Sequence, residues 1–128
     1  MKKFEIYEKS QRGTNGSLNA RYNKQPIISV SGSDIRFNEV AEDRLRLVKH
    51  SEILISKSDD GFYLANVSEH NRDGYKLNRS GKLSTLSTQS KSFIERLKIK
   101  KGIYLIDGFA EYDEKEKIDW FRLIPIEN

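Results

Sequence analysis

Hydrophobic positions in the later two-thirds of the chain recur in two stretches that follow the same order. The first runs Ile35-Arg36-Phe37, then Ala41, Leu45 and Leu47, then Ile53-Leu54-Ile55, then Phe62-Tyr63-Leu64-Ala65. The second runs Leu83 and Leu86, then Phe93, Ile94, Leu97 and Ile99, then Ile103-Tyr104-Leu105-Ile106, then Trp120-Phe121-Arg122-Leu123-Ile124. In each, short apolar or alternating runs predict strands, and helical spacing between the first two predicts a short helix. Aligning Leu45-x-Leu47 on Leu97-x-Ile99 sets an offset of 52 residues, and Ile53-Leu54 then falls on Leu105-Ile106 without a gap. The pattern predicts an α+β fold: a mainly antiparallel β-barrel or sheet with two short helices, built as a tandem β-α-β-β duplication.

The punctuation of the chain sets the boundaries. Phe4 and Ile6 alternate with Lys3, Glu5 and Tyr7, which predicts a strand over 3–8. Residues 9–25 are polar and carry Gly13 and Gly16, and read as a long loop or arm. Pro26 ends the arm, and Ile27-Ile28-Ser29-Val30-Ser31 opens the folded unit as a strand. Asn38 stands where a helix N-cap belongs, followed by Glu39, Glu42 and Asp43, with Ala41, Leu45 and Val48 at helical spacing. Asp59-Asp60-Gly61 predicts the turn of a hairpin over 51–67. Ser87-Thr88 suits the cap of a second helix over about 89–97, which Gly102 would stop. A closing hairpin over 103–107 and 120–126 carries a longer charged tip, residues 111–117, expected to protrude. Residues 1–25 thus form a strand plus basic arm, and 26–128 one duplicated domain with half-repeats at about 27–67 and 83–126 and a linker at 68–82. Tyr75-Lys76-Leu77 within that linker reads as a short strand.

Composition narrows the classes. With 128 residues, 36% hydrophobic and 33% charged, the chain suits a thin core under a large wet surface rather than a deep pocket. It has no cysteine, which excludes disulfides, thiolate zinc sites and thiol catalysis, and suits a reducing cytoplasm. The start Met1-Lys2-Lys3-Phe4 has no apolar run behind it. No stretch approaches the roughly 18 apolar residues of a membrane span. A soluble, cytoplasmic protein with no membrane partner is expected. The net charge of +4 is unevenly spread: residues 72–101 hold nine bases against two acids, and 107–128 hold seven acids against three bases. Such asymmetry suits one anion-attracting face, although two ordinary solvated faces would give the same counts.

Catalytic groups are sparse. His50 and His70 lie in different segments with no patterned carboxylate or nucleophile beside them, and read as surface histidines. Asp59-Asp60 belongs to a turn, Asp113-Glu114 and Glu116 lack the ligand spacing of a calcium loop, and Gly13-Thr14-Asn15-Gly16 lacks the lysine of a phosphate loop. No catalytic residue, metal or cofactor is called for.

Basic and aromatic residues are the remaining candidates. The arm carries Lys9, Arg12, Arg21 and Lys24, no acid and Tyr22, a composition that suits phosphate contacts and equally an arm without fixed structure. Phe37, Phe62, Phe93, Trp120 and Phe121 lie in apolar runs and are assigned to the core; Tyr22 and Tyr75 lie in basic surroundings and are candidates for base stacking. Phosphate contacts are expected from Arg12, Arg21, Lys24 and Arg36, and from Arg72, Lys76, Arg79 and Lys82 in the linker.

The run Ile35-Arg36-Phe37-Asn38-Glu39-Val40-Ala41-Glu42-Asp43-Arg44-Leu45-Arg46-Leu47, followed by Ile53-Leu54-Ile55, a turn and Phe62-Tyr63-Leu64, resembles the swapped-hairpin fold of AbrB-type transition-state regulators. In that family a strand, a short helix and a hairpin form a unit, and two units build one DNA-binding barrel. The resemblance covers about 33 residues and implies a tandem pseudo-dimer, the second unit coming from residues 83–126. The pattern is also similar to that of small bacterial and phage proteins. The expected function is a non-enzymatic module that binds single- or double-stranded DNA, with regulation as a candidate role. The other reading is a structural or protein-interaction module, such as a phage assembly component, with a homo-oligomer or a virion as partner.

Overall fold

The computed structural model describes Leu18, Tyr22 and residues 24–70, 72–79 and 85–127. The strand expected over 3–8 and most of the arm lie outside these residues. Antiparallel strands β1 (Ile27–Val30) and β2 (Asp34–Phe37) lead into helix α1 (Glu39–Leu45) and the hairpin β3 (Glu52–Ser58) and β4 (Gly61–Asn66). Two short pieces follow, β5 (Tyr75–Lys76) and β6 (Asn78–Arg79), then β7 (Leu86–Gln89), helix α2 (Lys91–Leu97) and the long hairpin β8 (Gly102–Asp113) and β9 (Ile118–Glu127). The nine strands form one sheet in the order β5-β3-β4-β9-β8-β1-β2-β7-β6. Its two end strands, β5 and β6, are separated only by Leu77, so the sheet curls round into a nearly closed barrel. No helix among the described residues is long and apolar enough to cross a membrane.

The 52-residue repeat holds in three dimensions. Each half presents strand, seven-residue helix and hairpin, and Asn38 and Ser90 occupy the same N-cap position. Arg46 and Lys98 take the same left-handed C-cap conformation, at φ 55° and φ 57°. The halves interleave rather than stack. β2 pairs with its counterpart β7, with Ile35 opposite Thr88 and Arg36 opposite Ser87. β4 likewise pairs with its counterpart β9.

The expected linker supplies a further strand position. Ile27 and Ile28 of β1 lie opposite Leu105 and Tyr104, while Tyr75 and Lys76 lie opposite Ile53 and Glu52, the equivalents one repeat earlier. Val30 lies opposite Ile35, and Asn78 opposite Ser87. Residues 75–79 therefore fill in the second half the place of β1 in the first. Leu77, fully buried, carries the segment across the gap between the two pieces.

One cluster fills the barrel. Ile28, Ile35, Phe37, Ile53, Leu64, Leu86 and Ile106 come from the strands, and Ala41, Leu45, Phe93 and Ile94 from the helices. Each Ile, Leu or Phe so buried contributes about 1.5–3 kcal/mol relative to exposure. Asn38 caps α1 as predicted, but Ser90, not Ser87 or Thr88, caps α2, accepting from the Phe93 N–H at 3.3 Å. Ser87 and Thr88 are held in β7 by pairing with β2. Lys98 rather than Gly102 ends α2; its N–H reaches the carbonyls of Glu95 and Ile94, and Gly102 begins β8. Val48, expected to face inward, is exposed because the chain has left the helix at Arg46. Phe62 and Phe121 are only partly buried at the margin of this cluster.

The closing hairpin does not protrude. A bulge between Ile106 and Ala110 shifts its register and bends it. Its far end then lies on the outside of the sheet, where Ile118 is buried with Ala65 and Val67, and Leu54 and Trp120 pack against them. Arg72 grips both carboxylate oxygens of Glu116, and His70 Nε2 donates to the carbonyl of Lys117 at 2.7 Å. An apolar face on an otherwise charged tip explains why it folds back.

Candidate nucleic-acid interface

The expected phosphate-binding residues divide by what already holds them. Arg36 Nε donates to Asp34 Oδ2 at 2.9 Å, and Asp34 Oδ1 also accepts from Ser31 Oγ. Arg79 Nη2 donates to Glu42 Oε1 at 3.0 Å, while Glu42 Oε2 accepts the Leu86 N–H at 3.0 Å. Glu42 is buried, so this carboxylate ties α1 to β6 and β7. Arg72 is committed to Glu116. A guanidinium that already neutralises a carboxylate has less attraction left for a phosphate, so all three arginines expected at the interface among the described residues serve the fold first. The further candidates Arg12, Arg21 and Lys82 lie outside the described residues.

The tyrosines are likewise engaged. Tyr22 is half-buried, its N–H donates to the Leu18 carbonyl at 3.1 Å and its own carbonyl accepts from Asn38 Nδ2 at 2.6 Å. Tyr75 stacks on Phe93 with ring centroids 3.8 Å apart and planes 18° from parallel. One of its faces is therefore packed against α2 rather than offered to a base. Its hydroxyl accepts from Arg96 Nη2 at 2.7 Å.

That last contact identifies a more continuous basic surface than the expected residues made. It places the exposed Arg96 beside Tyr75 of β5; Lys76, the next residue on that strand, points to the other face, opposite Glu52. Beyond Arg96 the chain continues through Lys98, Lys100 and Lys101, all exposed. Tyr104, whose hydroxyl donates to the Lys100 carbonyl at 2.5 Å, fixes the path of this turn. Burial pushes the Tyr104 hydroxyl above its ordinary pKa. Lys101 extends over Gly32 of the β1–β2 turn, where an added Cβ would sit 3.3 Å from its Cε. No carboxylate lies within ion-pair distance of Arg96, Lys98, Lys100, Lys101 or Lys76 among the described residues. Lys24 is also exposed. The corresponding helix α1 carries Glu39, Glu42 and Asp43 instead, so the repeat gives one basic helix and one acidic one.

Sequence reasoning had counted these bases without choosing them. Their signal was the run Arg96-x-Lys98-x-Lys100-Lys101 itself, unbroken by any acid. The histidines have other roles. His50 sits at φ 75° in the turn position that Gly102 fills one repeat later. His70 lines a groove with Arg44, Asn66 and Asp119, but Nε2 is occupied by Lys117 and Nδ1 is buried without a partner. Neither His70 nitrogen is presented to a substrate for proton transfer. Among the described residues no group of three or more metal-ligating side chains converges. Comparison of the chain with protein-family models, curated proteins and solved structures finds no match.

Proposed function

We propose that this chain is a non-enzymatic, cytoplasmic nucleic-acid-binding module that holds phosphates on the second half of α2 and the turn after it. The observation that carries this reading is the row Arg96, Lys98, Lys100 and Lys101, exposed and without carboxylate partners among the described residues. Lys24, and the arm residues Arg12 and Arg21 with Lys82, extend the basic set. Contacts of this kind supply affinity and salt dependence but little choice of sequence. The interleaved strand–helix–hairpin units support the resemblance to AbrB-type barrels, in which two such units bind DNA together.

The test is filter binding or fluorescence anisotropy with single- and double-stranded DNA across a salt series. Four phosphate contacts on duplex DNA give a slope of log K against log salt of about −3.6. Reversing all four residues to glutamate should abolish most of that slope, while reversing the exposed Lys57 on β3 should leave it unchanged. A salt-independent affinity, or a fourfold reversal without effect, refutes the reading. A second reading, a protein-interaction module, draws on the exposure of Phe109 at 84% and Tyr112 at 57% on the closing hairpin. Light scattering of the purified chain showing a stable oligomer without nucleic acid, lost on Phe109→Ser, would favour it.

A further inference from the structure

Where the closing hairpin folds over the outside of β3 and β4, it leaves an open groove of about 330 Å³. Ser56 and Ser58 of β3 and Tyr63 of β4 form one wall, and Glu111, Asp113 and Trp120 of the hairpin form the other. We propose that this groove binds a small organic cation, an alkylammonium group carried on an aliphatic stem, between the Trp120 ring and the Glu111 carboxylate.

Three features of the groove select that chemistry. Both charged side chains on the hairpin wall are carboxylates, and they point the same way because Glu111 and Asp113 are two apart on one strand, opposite Trp120 and Ile118. Asp113 Oδ1 already accepts the N–H groups of Lys115 and Glu116, at 3.1 Å each, so its role is in the turn. Glu111 makes no hydrogen bond or ion pair among the described residues, and is the carboxylate left for a ligand. Its field is felt across the groove: with Asp60, it holds the Tyr63 proton more tightly than in a free tyrosine, after the larger effects of the Tyr63–Asp60 hydrogen bond and burial. Trp120 packs against the small cluster of Ala65, Val67 and Ile118, yet stays partly open to the groove. An indole face is the best aromatic partner for a cation, and the same ring shelters an aliphatic stem. The hydroxyls of Ser56 and Ser58 at the groove give acceptors for the remaining ammonium protons.

This site is distinct from the basic surface and takes a ligand of opposite charge, so either can fail without the other. Trp120 is the single tryptophan of the chain, so its emission reports on the groove directly. The full chain is titrated at constant ionic strength with N-acetyl-lysine methylamide and, in parallel, with its neutral norleucine isostere. The lysine derivative should give a saturable change with a dissociation constant on the order of 10 mM, the scale of one cation–π contact and one exposed ion pair. Norleucine should give none. Glu111→Gln, an exposed position whose thermal melting should match the parent, should weaken binding at least threefold. No saturable change to about 100 mM, some tenfold above that scale, would overturn the proposal. So would an equal response to norleucine, or undiminished binding by Glu111→Gln.

Discussion

Asn38 is the side chain on which the two halves of the repeat can be weighed against each other. It is fully buried and uses every hydrogen-bonding position of its amide. Oδ1 accepts the N–H groups of Ala41, at 2.9 Å, and Ile27, at 3.0 Å; Nδ2 donates to the carbonyls of Tyr22, at 2.6 Å, and Gln25, at 2.7 Å. Asn38→Ala therefore removes a helix cap and strands two N–H groups at residues with no solvent exposure. An orphaned buried donor costs about 1–3 kcal/mol, and the two carbonyls, closer to the surface, add about 1 kcal/mol between them. The loss should be about 3–7 kcal/mol, a large part of the roughly 5–15 kcal/mol available to a small domain. At a urea slope of about 2 kcal/mol/M the midpoint falls by about 1.5–3.5 M. Ser90→Ala is the internal control, because Ser90 holds the same cap position but only the Phe93 N–H at 3.3 Å. It should cost about 0.5–1 kcal/mol. Asn38→Asp keeps the acceptors but turns a buried carboxylate oxygen toward the carbonyls of Tyr22 and Gln25, and should cost more than Ser90→Ala. Equal losses for Asn38→Ala and Ser90→Ala in equilibrium urea unfolding would refute the idea that Asn38 does more than cap a helix.

Two further outcomes follow from buried or paired carboxylates. Glu42→Ala should cost about 2–3 kcal/mol by leaving the Leu86 N–H without its acceptor; native-state hydrogen exchange at Leu86 should quicken, and an unchanged Leu86 rate would contradict the assignment. At the β3–β4 turn the Tyr63 hydroxyl donates to Asp60 Oδ2 at 2.8 Å, and that bond, ahead of the opposing effect of burial, holds the Asp60 carboxyl below its ordinary range. A depressed aspartate stabilises the fold above its unfolded pKa of about 3.9 and loses that contribution as pH falls through the lower folded value. Asp60→Asn should flatten the acid limb of stability measured between about pH 2 and 6, and an unaltered limb would remove Asp60 from the account.

The 52-residue repeat, the Asn38 cap and the Asp59-Asp60 turn were legible because each is a local signal: an apolar spacing, a side chain three residues from its donor, a two-residue loop. Residues 75–79 were harder to place because Lys76 and Asn78 face water, leaving only Tyr75 and Leu77 as apolar marks. Their spacing to β1 is also 48 rather than 52, so the repeat that reveals β7 does not reveal them. The expected interface was read one charge at a time, and the carboxylates that claim Arg79 and Arg72 come from 37 and 44 residues away. No spacing rule reaches that far. Arg36 is different: Asp34 lies two positions earlier on the same strand, hence on the same face, and the pair could have been read from the sequence. The fold-back of the hairpin turned on Ile118 and Trp120, two apolar residues on one face of a tip whose charge drew attention first.

The interleaving of the halves has a consequence for how the chain reaches this state. Four of the strand interfaces join one half to the other: β1 with β8, β3 with β5, β2 with β7 and β4 with β9. During synthesis the first half emerges with its partners still untranslated, and β4 in particular waits for residues about 60 positions later. Contacts of such long sequence separation must be reached against loop-closure entropy, so folding should be slow and largely post-translational. In the interval the open edges of β2 and β4 are exposed to equivalent strands on other nascent copies. The same register that closes one molecule would then serve to exchange hairpins between two.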